Sequence, residues 1–554
     1  MRLLVLLPAF LAVALAGCDS TAPLAECPGG VDCPEPVIDP DTVDFDGITE
    51  LNFERYVRPI LNTRQALAPE VTDVTYAALL NAGPSSFLIP FDADASLLVR
   101  LAEETLTDDS VNPFPRLLSL QDDEKRYIRR WIEAGAPNAS GQPAYADATR
   151  LLYICNQLAG RVSVVDVDRQ RIIRNVYFEA LGQPADAKPH HVIATPDGSA
   201  WYVALIAGDG GGSVLKLSSS LTMDPADADY LLASETPPSG DATFQKPGML
   251  AFDAANQRLF AGRSFSADPT SSGIARFNAS TLAFETIQTP DVHPHALGVS
   301  RDGRYVFTAG LTATSGATPA YVFEAATGDL VDQELVPGTL AFVHYAVSPD
   351  GETVVLTSQT GGALYVFDFD TASGDLTVRG SVPTGDQPWH PVYAPDGSAV
   401  YVPNRLSNTV TVVDPAALTV TRTIGGAGLP FSQVHGSALS ADGSTLFVSS
   451  RNFAMMMGAM PPAAPEASGE MDHGGMNHEG MDHDADAASP GATPAMVMPE
   501  IAWTPSIRFI QADGTPEPND LYGNVAMLDA RDGSLIAVIQ TGRWASGLAL
   551  YEPR

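Results

Sequence analysis

Two groups of side chains in this sequence could do chemistry. The first is a segment at residues 454–500 that holds Met455, Met456, Met457, Met460, Met471, Met476, Met481, Met496 and Met498, nine of the chain's thirteen methionines. At its centre lies a five-residue repeat, Met471-Asp472-His473, Met476-Asn477-His478 and Met481-Asp482-His483. Thioether sulfur is soft and selects Cu(I), while imidazole and carboxylate extend the range to Cu(II). The second group is the other histidines: His190, His191, His293, His295, His344, His390 and His435. All but His293 stand six or seven residues ahead of an Asp-Gly pair. Imidazole is a good copper or zinc ligand, so a fold that gathers these positions makes a metal site. No nucleophile elbow, phosphate-binding glycine loop or HExxH accompanies them.

The elements that must position the histidines repeat. From about residue 150 an apolar run, an Asp-Gly pair and a Tyr/Phe/Val-rich run recur, at Asp197-Gly198, Asp302-Gly303, Asp350-Gly351, Asp396-Gly397 and Asp442-Gly443. A divergent copy turns at Ala255-Asn256-Gln257. Asp-Gly between apolar runs signals a hairpin. Through the regular section the pairs are 46 to 48 residues apart, the length of one four-stranded propeller blade. The C-terminal Trp544–Tyr551 reads as an innermost strand without outer ones. Leu151–Asn156 and Arg161–Asp166 read as outer strands without an inner one. Joining them closes a ring and hides its edges. The expected fold is an all-β seven-bladed propeller over 150–554, with a small, mainly α domain ahead of it.

These repeats, with Val402-Pro403-Asn404 and Val410-Thr411-Val412-Val413-Asp414, resemble the YVTN-type propellers, which include surface-layer repeat proteins and lactonase-like propellers. Innermost strands line a propeller's central channel, so the histidines could converge at one mouth of it. The resemblance carries a competing reading, in which such histidines only bond neighbouring backbone. His190-His191 and Pro294-His295 further resemble the propeller of nitrous oxide reductase, whose hub histidines hold copper; this chain lacks that enzyme's cupredoxin domain, so the activity is not implied. The Met/His segment follows the second-strand run Thr445–Ser450, so it should emerge on the histidine-bearing face.

Ahead of the propeller, Arg2 and the apolar Leu3–Ala16 run into Leu15-Ala16-Gly17-Cys18. The run is short for a membrane span. The element resembles a bacterial lipobox, which implies a signal peptide at 1–17 and lipidation of Cys18. Residues 18–45 have the composition of a disordered tether. Within it, Cys27 and Cys33 bracket a Pro-Gly-Gly turn and could close a disulfide loop in an oxidising compartment. Over 46–140, amphipathic stretches at Phe53–Leu61, Ser96–Glu103 and Asp122–Ala134 predict helices. Tyr56–Leu61, Ser96–Arg100 and Leu118–Pro137 resemble a small c-type cytochrome domain. The region contains no Cys, His or Met, so no haem is expected, and a spacer or docking role is.

The net charge of −35, with only four lysines, repels phosphate backbones and argues against nucleic acid as a partner. The expectation is a membrane-anchored protein of the bacterial cell envelope, periplasmic or outer-surface, that binds copper for capture, buffering or delivery. Two alternatives remain open: a lactonase-like or metal-dependent oxidoreductase propeller, and a metal-free scaffold for an envelope protein partner.

Overall fold

A computed structural model describes residues 38–553 apart from 68–72, 207–211, 236–245, 264–272, 291–292, 313–315, 427, 452–507 and 518–521. Cys18, Cys27, Cys33 and the whole Met/His segment therefore lie outside the described residues.

Seven four-stranded antiparallel sheets form a seven-bladed propeller. We number the blades by their inner strands: Lys188–Ala194 (blade 1), Pro247–Asp253 (2), Pro294–Val299 (3), Phe342–Val347 (4), Val392–Tyr393 (5), Val434–Leu439 (6) and Ala545–Tyr551 (7). Blade 7 is the split one. Its C-terminal inner strand pairs with Leu151–Asn156, followed outward by Arg161–Asp166 and Arg171–Tyr177. Successive inner strands touch around the axis, and blade 7 touches blade 1, so the ring closes as the half-repeats require. Apolar layers between neighbouring blades hold it: Phe307, Leu356 and Phe367 between blades 3 and 4, and Val410, Val448 and Leu528 between blades 5 and 6, are all fully buried.

At each predicted turn the glycine has a left-handed backbone. Gly198, Gly303, Gly351, Gly397 and Gly443 all lie between φ +68° and +82°, a region that costs other L-residues energy. Gly198 carries a second burden. A Cβ there would sit 2.1 Å from the ring of Tyr551, on the closing strand, whereas one at Gly397 would meet nothing nearer than 3.5 Å.

The N-terminal region is helical where amphipathic stretches predict it: a π-helical turn Phe53–Val57 running into Arg58–Thr63, then Leu97–Glu103 and Asp122–Glu133, with a short helix Tyr76–Leu80 besides. A Gln121/Glu124 capping box starts the Asp122–Glu133 helix. Trp131, wholly buried, donates from its indole nitrogen to the Pro137 carbonyl at 2.9 Å. This region covers the open edge of blade 7. The Ile172 amide donates to the Ser85 carbonyl at 2.9 Å, and Asn175 Nδ2 donates to Asp92 at 2.7 Å. An otherwise exposed strand edge is thereby hidden. The chain returning from the Met/His segment also docks here. Leu106 bridges Phe509, Thr107 donates to the Arg508 carbonyl at 2.9 Å, and Arg100 pairs with Glu517.

Gly397→Ala should cost about 1 kcal/mol, the price of the left-handed backbone alone. Gly198→Ala should cost more, up to about 3 kcal/mol, because its methyl must also displace the Tyr551 ring on the closing strand. Denaturant midpoints of the two variants measure the difference; equal losses would mean that blade 7 does not seat against the blade 1 turn.

Candidate metal centre at the hub

Adjacent residues of a regular strand point to opposite faces, so His190 and His191 cannot both face the axis from an unbroken ladder. The ladder is broken. In blade 1, Pro189 pairs with Leu205 but His191 with Ala204, which leaves His190 as one extra residue. The same slip places His295 in blade 3, Val343-His344 in blade 4 and His435-Gly436 in blade 6 opposite one residue too few. In blade 5, the pairs Pro388–Asn404 and Val392–Tyr401 leave three residues, Trp389, His390 and Pro391, opposite two. Blades 2 and 7 slip likewise at Gly248-Met249 and Ser546-Gly547. A bulge re-aims side chains, and here it lets two successive positions of one strand look toward the channel.

Six imidazoles meet there in two tiers. The positions seven residues before the Asp-Gly turn give His190, His295 and His435, with the His190 ring centroid 5.8 Å from His295 and 6.2 Å from His435. The positions six before it give His191, His344 and His390, a triangle with sides of 5.4, 5.6 and 4.9 Å. His390 joins the tiers, 4.6 Å from His435. His293 shares a hydrogen bond with Thr312 Oγ1 at 2.6 Å. At the blade 2 slip, Met249 packs into the apolar layer with Phe260 and Leu297.

The rings are sunk in protein, and burial is the main force on their protonation. It pushes His191 down to about 3 and His295 down to about 4. It drives His344, His390 and His435 well below the ordinary imidazole range, with neighbouring imidazoles adding to the effect and Arg451 as well at His435. All five are neutral at pH 7. Hydrogen bonds fix some and leave others open. His295 Nδ1 lies 2.9 Å from the Val343 carbonyl, so it carries the proton and leaves Nε2 with a lone pair. His191 Nδ1 instead accepts from the Leu250 amide at 3.3 Å. Among the described residues, His344 Nδ1, His390 Nε2 and both ring nitrogens of His435 are buried without a hydrogen-bond partner. Among the described residues, no three His, Cys, Asp or Glu side chains stand ready to hold one ion. The triangle's rings are tilted 49° to 77° to one another, and bringing their nitrogens to one point takes rotation about the soft Cβ–ring torsion.

Sequence reasoning found the histidines and missed what stands beside them. Trp389, 2% exposed, stacks on His435 at 4.3 Å. Arg405 and Arg451 each place a guanidinium over Trp389 at 5.6 Å, and Arg451 lies over Trp544 at 4.9 Å. Both arginines directly follow a second strand, Val400–Asn404 and Thr445–Ser450. That shared position, in Pro403-Asn404-Arg405 and Ser449-Ser450-Arg451, was the available signal. A separate cavity of about 450 Å³ lies among the helical region, blade 7 and the returning chain; Arg100, Tyr177, Phe509 and Arg543 line it, and none of the hub histidines does.

Residues 232–458 match the family model described as Lactonase, 7-bladed beta-propeller. The match includes His295, His344, His390 and His435 and stops short of His190-His191 and blade 7. No curated protein matches the chain. Similar solved structures include a 6-phosphogluconolactonase-like protein from Bacteroides fragilis, 13% identical over 74% of this chain and 99% of that one, with a TM-score of 0.45. Another is hydrazine synthase from Kuenenia stuttgartiensis, 16% identical over 54% and 89%, with a TM-score of 0.43. Likenesses of this order say nothing of activity.

In metal-free protein, imidazoles held neutral by the fold take up protons only on unfolding. Their stabilisation is complete above about pH 6.5 and is lost as the pH falls from there toward 4 and 3, the values of His295 and His191. Each contributes a slope of about 1.4 kcal/mol per pH unit. Denaturant midpoints between pH 7 and 4 should fall less steeply in His295→Gln; an unchanged slope would assign the acid sensitivity to carboxylates instead.

Proposed function

We propose that this chain is a lipid-anchored copper-binding protein of the bacterial cell envelope, with a hub site of imidazoles and a Met/His segment that captures the metal. The observation that carries the reading is the triangle of His191, His344 and His390, in which His191 would have to release the Leu250 amide, because a neutral imidazole accepting at Nδ1 carries its proton on Nε2. Imidazoles that share an ion at about 2.1 Å per nitrogen have ring centroids roughly 5 Å apart, close to the sides found here. Unpartnered ring nitrogens on His344 and His390 support the fit, because a buried nitrogen without a hydrogen bond is costly unless something else occupies its lone pair. The donor set is all imidazole, and neutral, which suits copper. When bound, copper would supply a tightly held ion with redox capacity. The chain's own part is to keep the rings unprotonated, fix the His295 tautomer through Val343, and exclude water. The helical region serves as spacer and docking surface above the membrane.

The match over 232–458 favours a second reading, a lactonase-like hydrolase working at the same mouth. Lactone turnover by metal-free protein, abolished by hub substitutions, would select it.

Metal analysis of the full chain separates the two copper sites. A chain lacking 455–498 should fold, bind less copper and keep a tightly held fraction. The triple variant His191→Ala, His344→Ala, His390→Ala should lose that fraction. Copper content equal to wild type in both variants would end the copper reading. Cys18→Ser should move the protein from membrane to soluble fractions or leave an uncleaved precursor; membrane association unchanged and without acylation would end the anchor.

A further inference from the structure

Arg451 has no use in the imidazole site, and its surroundings are unusual for a cation. It is 1% exposed. Among the described residues its Nε, Nη1 and Nη2 are all buried without a hydrogen-bond partner, although a guanidinium carries five N–H donors. No described neighbour neutralises it. The indole faces of Trp389 and Trp544 lie at 5.6 and 4.9 Å, and such contacts make up only part of what isolating a cation from water costs. A second guanidinium, Arg405, stands over the same Trp389 and adds like charge.

We propose that Arg451 holds a small planar oxyanion of the carboxylate type beside the hub histidines. Indoles cover the guanidinium, so its donors are left to act along their own plane, and a guanidinium edge matches two oxygens of one planar group. The bound charge offsets Arg451 and gives its orphaned donors acceptors. The site concerns this arginine and not the metal, so it holds whether or not the hub binds copper.

The test uses full-length protein stripped of metal by chelator, with formate as the probe and chloride balancing ionic strength. Formate should raise the melting temperature along a saturable curve, as any ligand of the native state does, and should shift the emission of the hub tryptophans over the same range. Arg451→Met, apolar and of similar length, should lose both responses. Arg451→Lys keeps the charge without the planar fork; its apparent formate affinity should fall at least about tenfold, with its preference over chloride gone. Should the Met variant fail to fold, the Lys variant decides. A wild-type response to formate no different from chloride, or an equal response in the Lys variant, overturns the site. Copper content is measured separately, so the anion site and the copper reading can fail independently.

Discussion

Every inner strand runs one residue longer than its partner at the same end of the ring, and the hub is built on that mismatch. A regular ladder would send one of His190 and His191 toward the channel and bury the other between blades. With the bulge, both look inward, and the offset of six or seven residues from the Asp-Gly turn becomes a choice of tier. Blades 1, 3 and 6 fill the upper tier with His190, His295 and His435; blades 1, 4 and 5 fill the lower with His191, His344 and His390. Blades 2 and 7 have the same bulge and spend it on Gly248-Met249 and Ser546-Gly547. The backbone device thus belongs to the whole ring, and histidine is what five blades have placed on it.

Charge is sorted radially. The chain carries a formal −35, yet the side chains found around the hub are neutral imidazoles, indoles and guanidiniums. An acidic exterior draws cations toward the molecule, while the buried guanidinium of Arg451 favours an anion. Among the described residues the hub offers uncharged imidazole donors and no carboxylate cage, a set that suits a softer, imidazole-binding ion better than calcium or magnesium.

Much of this was legible in the sequence, and the limits follow from physics. The Asp-Gly turns are local, because a left-handed glycine marks its own position, so blade count and blade boundaries could be read directly. The split blade could be read because a lone strand at each end has one sensible partner. The histidines could be placed near the mouth. Their two tiers could not, since a bulge is a property of the pairing between two strands and leaves no mark in either alone. Arg405, Arg451 and Trp389 escaped for another reason. An arginine after a strand usually lies in solvent, and only the ring, bringing blades 5, 6 and 7 together, turns these inward. The covering of the Arg171–Tyr177 edge by residues 81–92 was equally hidden, being a contact between parts with no shared pattern.

The position of the Met/His segment follows from the same ring. It leaves after Ser450, which pairs with Val434 at the histidine end of blade 6, and the chain re-enters at Gly523–Asp529, where Asn524 pairs with Ser450. Exit and re-entry are therefore neighbours in one ladder. Closing a loop between two points already held together costs little more as the loop grows, about 0.6 kcal/mol per doubling. A long insertion is cheapest at such a place, and the place is set beside Arg451 and one residue pair from His435. The return path is anchored too, through Phe509 against Arg100 at 4.0 Å and Glu517 paired with the same arginine. The helical region thus holds the far end of the insertion as well as the edge of blade 7. The described residues on either side of the segment, Arg451 and Arg508, thus stand beside the hub tryptophans and against the helical region.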